Sequence, residues 1–253
     1  MHVSRIGFTP LKGTRHTAVG VATLELSGPV GDRVFCLVDP ERRRVLRTVE
    51  NPSLLQVRSV WDGHTLGIEF PDGSSVLGTP YAAPQGELKA DYWGRTATVV
   101  VQDGFDIGAL SQHLGQPVEL ARAAPSEVVY GGSVSIVTTS ELQELAVRAG
   151  DSRLGRQDAR FRATVTLDTG SDDAEVFHAG TRINLGRATV EVRGPIPRCA
   201  VVDLDPVTGQ QTAPVLRTVA GYRRGPREVY FGVDARVVVP GAIRQGDPAV
   251  LEV

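Results

Sequence analysis

Short β-forming runs separated by turn dipeptides are the feature that most limits how this chain can fold. VSRIGF, AVGVATLEL, RVFCLVD, RRVLRTV, LLQVRSV and TLGIEF all fall within the first seventy residues, punctuated by Gly-Pro, Asp-Pro, Asn-Pro and Asp-Gly. Runs this short, with no helical pattern between them, point to a barrel or sandwich rather than a parallel α/β sheet. WDGHT (61–65) is the cleanest hairpin signal, because Asp-Gly supplies the positive φ of a tight turn. GTPYAAPQGELKADYWGR (78–95) is rich in Pro and Gly and reads as a linker or long loop.

Helical patterns are few. DIGALSQHLG (106–115) suggests a short helix with Asp106 as N-cap and Gly115 as stop. TTSELQELAVRAG (138–150) is stronger. Thr138 and Glu141 have capping-box spacing, Leu142, Leu145 and Ala146 form an apolar stripe, and Gly150 closes the helix. DSRLGRQDARFR (151–162) reads as a basic loop, and PVLRTVAGYR (214–223) as another short helix. TVTLD, RATVEVR, CAVVDLD, REVYFGVDARVVV and PAVLEV are strand-like. The expected fold is mostly β with short helices.

Charge excludes some functions. A formal net charge of −2 offers no global basic field for nucleic acid or an anionic membrane. Arg42-Arg43-Arg44 and Arg223-Arg224 read as solvated turns. No signal-peptide order and no membrane-spanning run is visible, so the expected home is the cytoplasm. GxxxxGK[ST], GxGxxG after a strand, and GxSxG are missing, and the five histidines lack metal-site spacing. Asp172-Asp173 looks like a solvated turn, and Asp205 before Pro206 looks like a turn residue ending the strand after Cys199.

The two cysteines differ. Cys36 lies inside VFCLV among apolar neighbours and reads as a small core hydrophobe. Cys199 follows RGPIPR, where Pro195 and Pro197 stiffen the approach and Arg193 and Arg198 lie close in sequence. A nearby guanidinium favours a thiolate, and a loop-to-strand junction is where β proteins display functional groups. On the residues alone, a reactive or ligating Cys199 and a packed one both stay open.

PRCAVVDLDPVTG (197–209) resembles the cysteine-containing segment of MOSC-domain proteins, a group that includes molybdenum cofactor sulfurase C-terminal domains and amidoxime-reducing components. The likeness extends along the chain. IGFTPLKGTR is similar to the family's opening strand, and GDRVFCLVD with VLRTVENPSLLQV is similar to its N-terminal barrel segment. SIVTTSELQELA resembles the start of the core, DARFRATV the segment usually written RFRPNIV, and VYFGVDARVVVPGAIRQGDPAVLEV the closing strands. The resemblance implies a β-barrel domain over residues 1–90 and a MOSC core barrel over 91–253, with the site in the cleft between them.

What it implies chemically is specific. Cys199 would be the catalytic residue and the thiolate ligand to the metal of a molybdenum cofactor (molybdopterin). Lys12, Arg33, Arg162 and Arg198 match positions that face the anionic pterin, where arginine forks and a lysine point charge suit a phosphate. Thr164 stands where the family has an asparagine, and Ser133 in YGGSVS stands where relatives place an acidic residue. The implied activity is two-electron reduction of an N-hydroxylated or related N–O small-molecule substrate. Two cysteines fall short of an iron–sulfur cluster's set, so electrons would come from a separate donor protein. The altered contacts keep two other readings open: sulfur transfer or C–S bond chemistry at Cys199 without molybdenum, and a non-catalytic cofactor carrier.

Overall fold

The computed structural model describes residues 1–129, 131–170, 177–226 and 228–252; the Asp172-Asp173 turn lies outside them. Within these residues the apolar alternation becomes strands with one buried face, as in Val21–Glu25, whose residues are exposed, buried, exposed, buried and exposed in turn. The fold is mostly β with short helices, as the residue patterns imply. Five strands form a closed barrel: Tyr81–Tyr92, Arg95–Asp103, Glu119–Ala123, Phe35–Asp39 and Arg44–Val45. Cys36 sits in its core beside Val38, Val99 and Ala121, fully buried. Burial pushes the thiol up to about 12, so Cys36 is the inert packing residue its neighbours suggest.

An eight-stranded sheet forms the second core. Its order runs Ala249–Leu251, Arg182–Leu185, Ala188–Arg198, Val229–Val239, Val134–Thr138, Val165–Asp168, His2–Phe8, Thr17–Val19. A small sheet of Gly241–Arg244, Val21–Glu25 and Gly28–Pro29 packs on it, so Ala22, Leu24 and Ile243 share one apolar cluster with Ile6, Ile136 and Val190. Val134–Thr138 and Val165–Asp168 run parallel, and such a pair needs a crossover. The helix α2, Thr139–Ala149, opens that crossover. Its capping box is formed: Thr138 Oγ1 accepts from Glu141 N at 3.1 Å, and Glu141 Oε2 accepts from Thr138 N at 3.0 Å. Gly150 stops the helix at φ 66°.

Several expectations need correction. Residues 78–95 are no linker, because Tyr81–Tyr92 is a twelve-residue barrel strand paired with Arg95–Asp103. Its Pro84 and Gly86 fall where the register shifts between Ala82 and Glu87, so turn chemistry there serves a bulge. A division between residues 90 and 91 falls inside this strand. The barrel runs on to Ala123, while His2–Phe8 belongs to the eight-stranded sheet. The helix α1 is Gly108–Leu114 with Ile107 at its N-cap; Asp106 instead accepts from Gly108 N at 2.9 Å. Residues 151–162 hold two 3₁₀ turns, Ser152–Arg156 and Asp158–Phe161, and α3 spans Val215–Ala220.

CAVVDLD is also not a strand. Ala188–Arg198 is the strand, and it ends just before Cys199; Ala200–Asp203 is a 3₁₀ turn. Buried Arg160 explains the change, because its Nη1 donates to Leu204 O at 2.6 Å and Val202 O at 3.3 Å. Beyond the turn, Leu204 keeps only an isolated antiparallel bridge to Gln211 among the described residues. Asp203 accepts from Leu216 N at 2.7 Å, tying the turn to the start of α3. Asp205 is the expected turn residue, accepting from Val207 N and Thr208 N at 2.9 and 2.8 Å.

Candidate functional site

Between His2–Phe8 and Thr17–Val19 the chain loops out to the barrel, where Leu11 bridges Phe35, and this loop sets Lys12. Thr9, Thr14 and Ser59 form a buried hydroxyl triangle with oxygen separations of 2.6, 2.9 and 3.0 Å. Ser59 Oγ also accepts from Leu11 N, and Phe35 O accepts from Lys12 N at 2.8 Å. Gly13 has φ 95°, and a Cβ there would stand 2.8 Å from Leu54 Cδ1, so the turn beside Lys12 requires glycine. Lys12 Nζ lies 5.0 Å from the Tyr92 ring centroid and donates a long 3.5 Å bond to Leu46 O. Burial, then the Arg33 and Arg162 charges, push the ammonium down to about 8.

Two arginines complete this cationic wall. Arg33 and Arg162 both hold positive φ, 47° and 51°, a strained conformation for side chains of this size. Arg33 pairs with buried Asp32, whose other oxygen accepts from Thr9 N. Arg162 follows the Asp158–Phe161 turn and reaches across to the barrel side, donating from Nη1 to Thr14 O at 2.8 Å. Burial and Arg33 press it down to about 9, with Asp32 opposing. Among the described residues, no carboxylate lies within ion-pair distance of Lys12 or Arg162. Beside them, Thr164 Oγ1 accepts from Ser135 N and Ser135 Oγ from Thr164 N, each at 3.2 Å, a reciprocal clip between parallel strands.

Arg198 and Cys199 end the long strand on the opposite wall. Arg198 donates from Nε to Phe231 O at 2.8 Å and from Nη1 to Phe161 O at 2.7 Å, which fixes the guanidinium; Nη2 is buried without a partner. Burial pushes Arg198 down to about 10, against the pull of Glu141. Cys199 is exposed, and its sulfur lies close enough to Lys12, Arg162 and Arg198 to bear on their charges. Arg193, the other expected neighbour, turns instead to Asp234 at 4.0 Å and is exposed. Nor is Arg223 a solvated turn residue: it pairs with buried Glu141 and, at 3.1 Å, with Glu144. Glu141 Oε1 also accepts from Gly232 N, bracing the strand whose Phe231 carbonyl holds Arg198.

All seven residues singled out in the sequence, Lys12, Arg33, Ser133, Thr164, Arg162, Arg198 and Cys199, line one cavity of about 470 Å³ between the barrel and the sheet. Its size is that of a small-molecule site. Its lining mixes these cations with the apolar side chains of Val49, Val128, Val129, Ile196 and Val229, and also takes in Arg224 and Glu228. Motif reading missed Arg47, Tyr92 and Trp93, which also line it. A signal for one was present: YWGR puts tryptophan where a tight turn favours Asn or Asp. Next to Ser133, Gly132 N donates to Asp234 Oδ1 at 2.7 Å, and a Cβ at Gly132 would collide with that oxygen.

A profile of the MOSC domain matches residues 113–250. The chain is 25% identical over 231 residues to the molybdenum cofactor sulfurase of Drosophila persimilis, covering 85% of this chain and 28% of that protein. It is 28% identical over 244 residues to the molybdenum cofactor sulfurase of Drosophila grimshawi, covering 90% and 31%. The chain thus spans less than a third of the length of these relatives. Among solved structures, the YUAD protein of Bacillus subtilis covers 98% of this chain and is itself 93% covered, at 13% identity and a TM-score of 0.48. YiiM from Escherichia coli covers 48% and is 54% covered, at 14% identity and 0.37. With its profile match spanning more than half its length, the chain belongs to the MOSC domain family.

Proposed function

We propose that the cavity binds the molybdenum cofactor, with Cys199 as the protein's ligand to the metal, and reduces an N-hydroxylated or related N–O substrate. The observation that carries this reading is the convergence of Lys12, Arg33 and Arg162 beside an accessible thiol, with Asp32 the one carboxylate ion-paired to them among the described residues. Burial first, and then the repulsion among the cations, lowers Lys12 and Arg162. An anion with phosphate-like oxygens relieves that repulsion, so the residues fit a phosphate-bearing pterin. Soft sulfur fits a molybdenum centre.

Bound there, the cofactor would supply the two-electron redox chemistry. The chain's own residues orient and screen. Arg162 and Arg33 fix the anionic group, Lys12 adds a charge that is lost above about pH 8, and Thr164 and Ser133 offer hydroxyl contacts. Arg198, held by two carbonyls, keeps a positive charge behind Cys199. The overall change takes an N–OH compound, two electrons and two protons to the N–H compound and water. The electrons would come from a separate donor protein.

A second reading rests on the exposure of Cys199, which lets its sulfur meet a partner in solution. In that case Cys199 would take a sulfane sulfur from a donor persulfide, which leaves as a thiol, and pass it to an acceptor, in keeping with the sulfurase name of the relatives. Incubating the purified chain with a chemically reduced one-electron dye and an N-hydroxylated amidine separates the two. Stoichiometric dye oxidation with release of the amidine, abolished by Cys199→Ala, supports reduction. Absence of dye oxidation together with a persulfide trapped on Cys199 by alkylation and mass spectrometry supports sulfur transfer.

A further inference from the structure

Adjacent residues of an extended segment point to opposite sides, and the pair Arg223-Arg224 divides accordingly. Arg223 is taken up by Glu141 and Glu144. Arg224 lines the cavity that holds Cys199. Its backbone is fixed: Tyr230 N donates to Arg223 O at 3.0 Å, Gly225 N donates to Glu228 O at 2.8 Å, and Arg224 bridges Val229. A Cβ at Gly225 would stand 2.4 Å from Tyr230 Cε2, so the segment packs directly on that ring.

The strand register sets where Arg224 stands. Val229 pairs with Arg198 along one edge and bridges Arg224 along the other. Arg198, Val229 and Arg224 therefore form one row, and all three line the cavity. Two strand spacings, about 10 Å, separate the ends of that row. Cys199 directly follows Arg198, so Arg224 belongs to the part of the cavity that holds the thiol.

The cavity's other arginines outside the Lys12–Arg33–Arg162 cluster are already engaged. Arg198 donates to two carbonyls and buries its third nitrogen. Arg47 pairs with Glu50 and Asp91, each at 3.3 Å. Glu228 is the one carboxylate lining the cavity among the described residues, and its Oε2 accepts from the Tyr230 hydroxyl at 3.2 Å. Arg224 is exposed, and among the described residues no carboxylate lies within ion-pair distance of it. A guanidinium left open in this way offers a planar fork that matches a carboxylate.

We infer that Arg224 is a specificity-determining residue that binds a carboxylate on the substrate brought to Cys199. This rests on the cavity being the substrate site, but it needs neither molybdenum nor turnover.

The test compares benzoate with benzamide by isothermal titration on the full chain; the two share one ring and differ in charge. Benzoate is expected to bind about fivefold more tightly, the scale of one solvent-exposed ion pair, a preference kept by Lys12→Met and lost by Arg224→Gln. Equal affinities in the unmodified chain overturn the inference, whether or not a variant folds. So does a preference that survives Arg224→Gln, or one abolished in a folded Lys12→Met variant, since either places the carboxylate at the Lys12 cluster instead. None of these readouts depends on Cys199, so failure here is distinct from failure of the molybdenum reading.

Discussion

At the scale of single residues, the site is an assembly of cations that the fold alone does not favour. Lys12 ordinarily releases its proton at 10.5 but is pushed down to about 8 in the fold, by burial first and then by Arg33 and Arg162. Between those values the unfolded chain holds a proton that the folded chain has lost, so stability rises with pH from about 8. Cys36 acts oppositely: its thiol ionises at 9.0 when exposed and at about 12 when buried, so stability falls above 9. Arg162, pressed down to about 9, adds to the Lys12 effect towards the upper end of the interval from pH 8 to 9. An anion bound at this wall needs the ammonium, so inorganic phosphate should raise the melting temperature more at pH 7 than at pH 9. Lys12→Met should remove most of that difference; an equal phosphate effect at both pH values in the unmodified chain would contradict this account. The identity of these residues was legible from motif order. Their convergence was not, because Lys12 and Arg162 are brought together by a chain crossing that local residues do not encode.

At the scale of elements, local rules were readable where local contacts decide. The Thr138–Glu141 box and the Gly150 stop act within one turn of α2, and both form. The WDGHT hairpin forms for the same reason, with Gly63 at φ 100° and Asp62 accepting from His64 N and Thr65 N. Tertiary contacts overrode the pattern elsewhere: Arg160 collects the carbonyls of residues 202 and 204 and curls a strand-like run into a 3₁₀ turn. Glu141 belongs to both classes, since it caps α2 and also holds Arg223 and Gly232 N. Chemical denaturation of two variants should therefore separate its roles. Thr138→Ala removes only the cap and should cost about 1 kcal/mol. Glu141→Ala also strands buried partners and should cost about 3 kcal/mol. Equal losses would show that the Glu141–Arg223 contact adds nothing beyond capping.

At the scale of the whole molecule, barrel and sheet are interleaved along the chain rather than laid end to end. His2–Phe8 and Thr17–Val19 lie in the eight-stranded sheet, the barrel strands run from Phe35 to Ala123, and Val134 returns the chain to the sheet. A resemblance that divides the chain at residue 90 misses this, because the strand spanning that point looks like loop in its Pro and Gly content. The interleaving has a functional consequence, for it lets Lys12 and Arg33 line one cavity with Arg162, Arg198 and Cys199. Among the described residues, no helix is long and apolar enough to cross a membrane. The central claim is that this cavity holds a molybdenum cofactor through Cys199. It is tested most directly by molybdenum analysis, with pterin fluorescence after acid oxidation, on the native chain and its Cys199→Ala variant from cells that make the cofactor. The account predicts molybdenum near one atom per chain in the native protein and its loss in the folded variant. No molybdenum and no pterin in the native protein would contradict it.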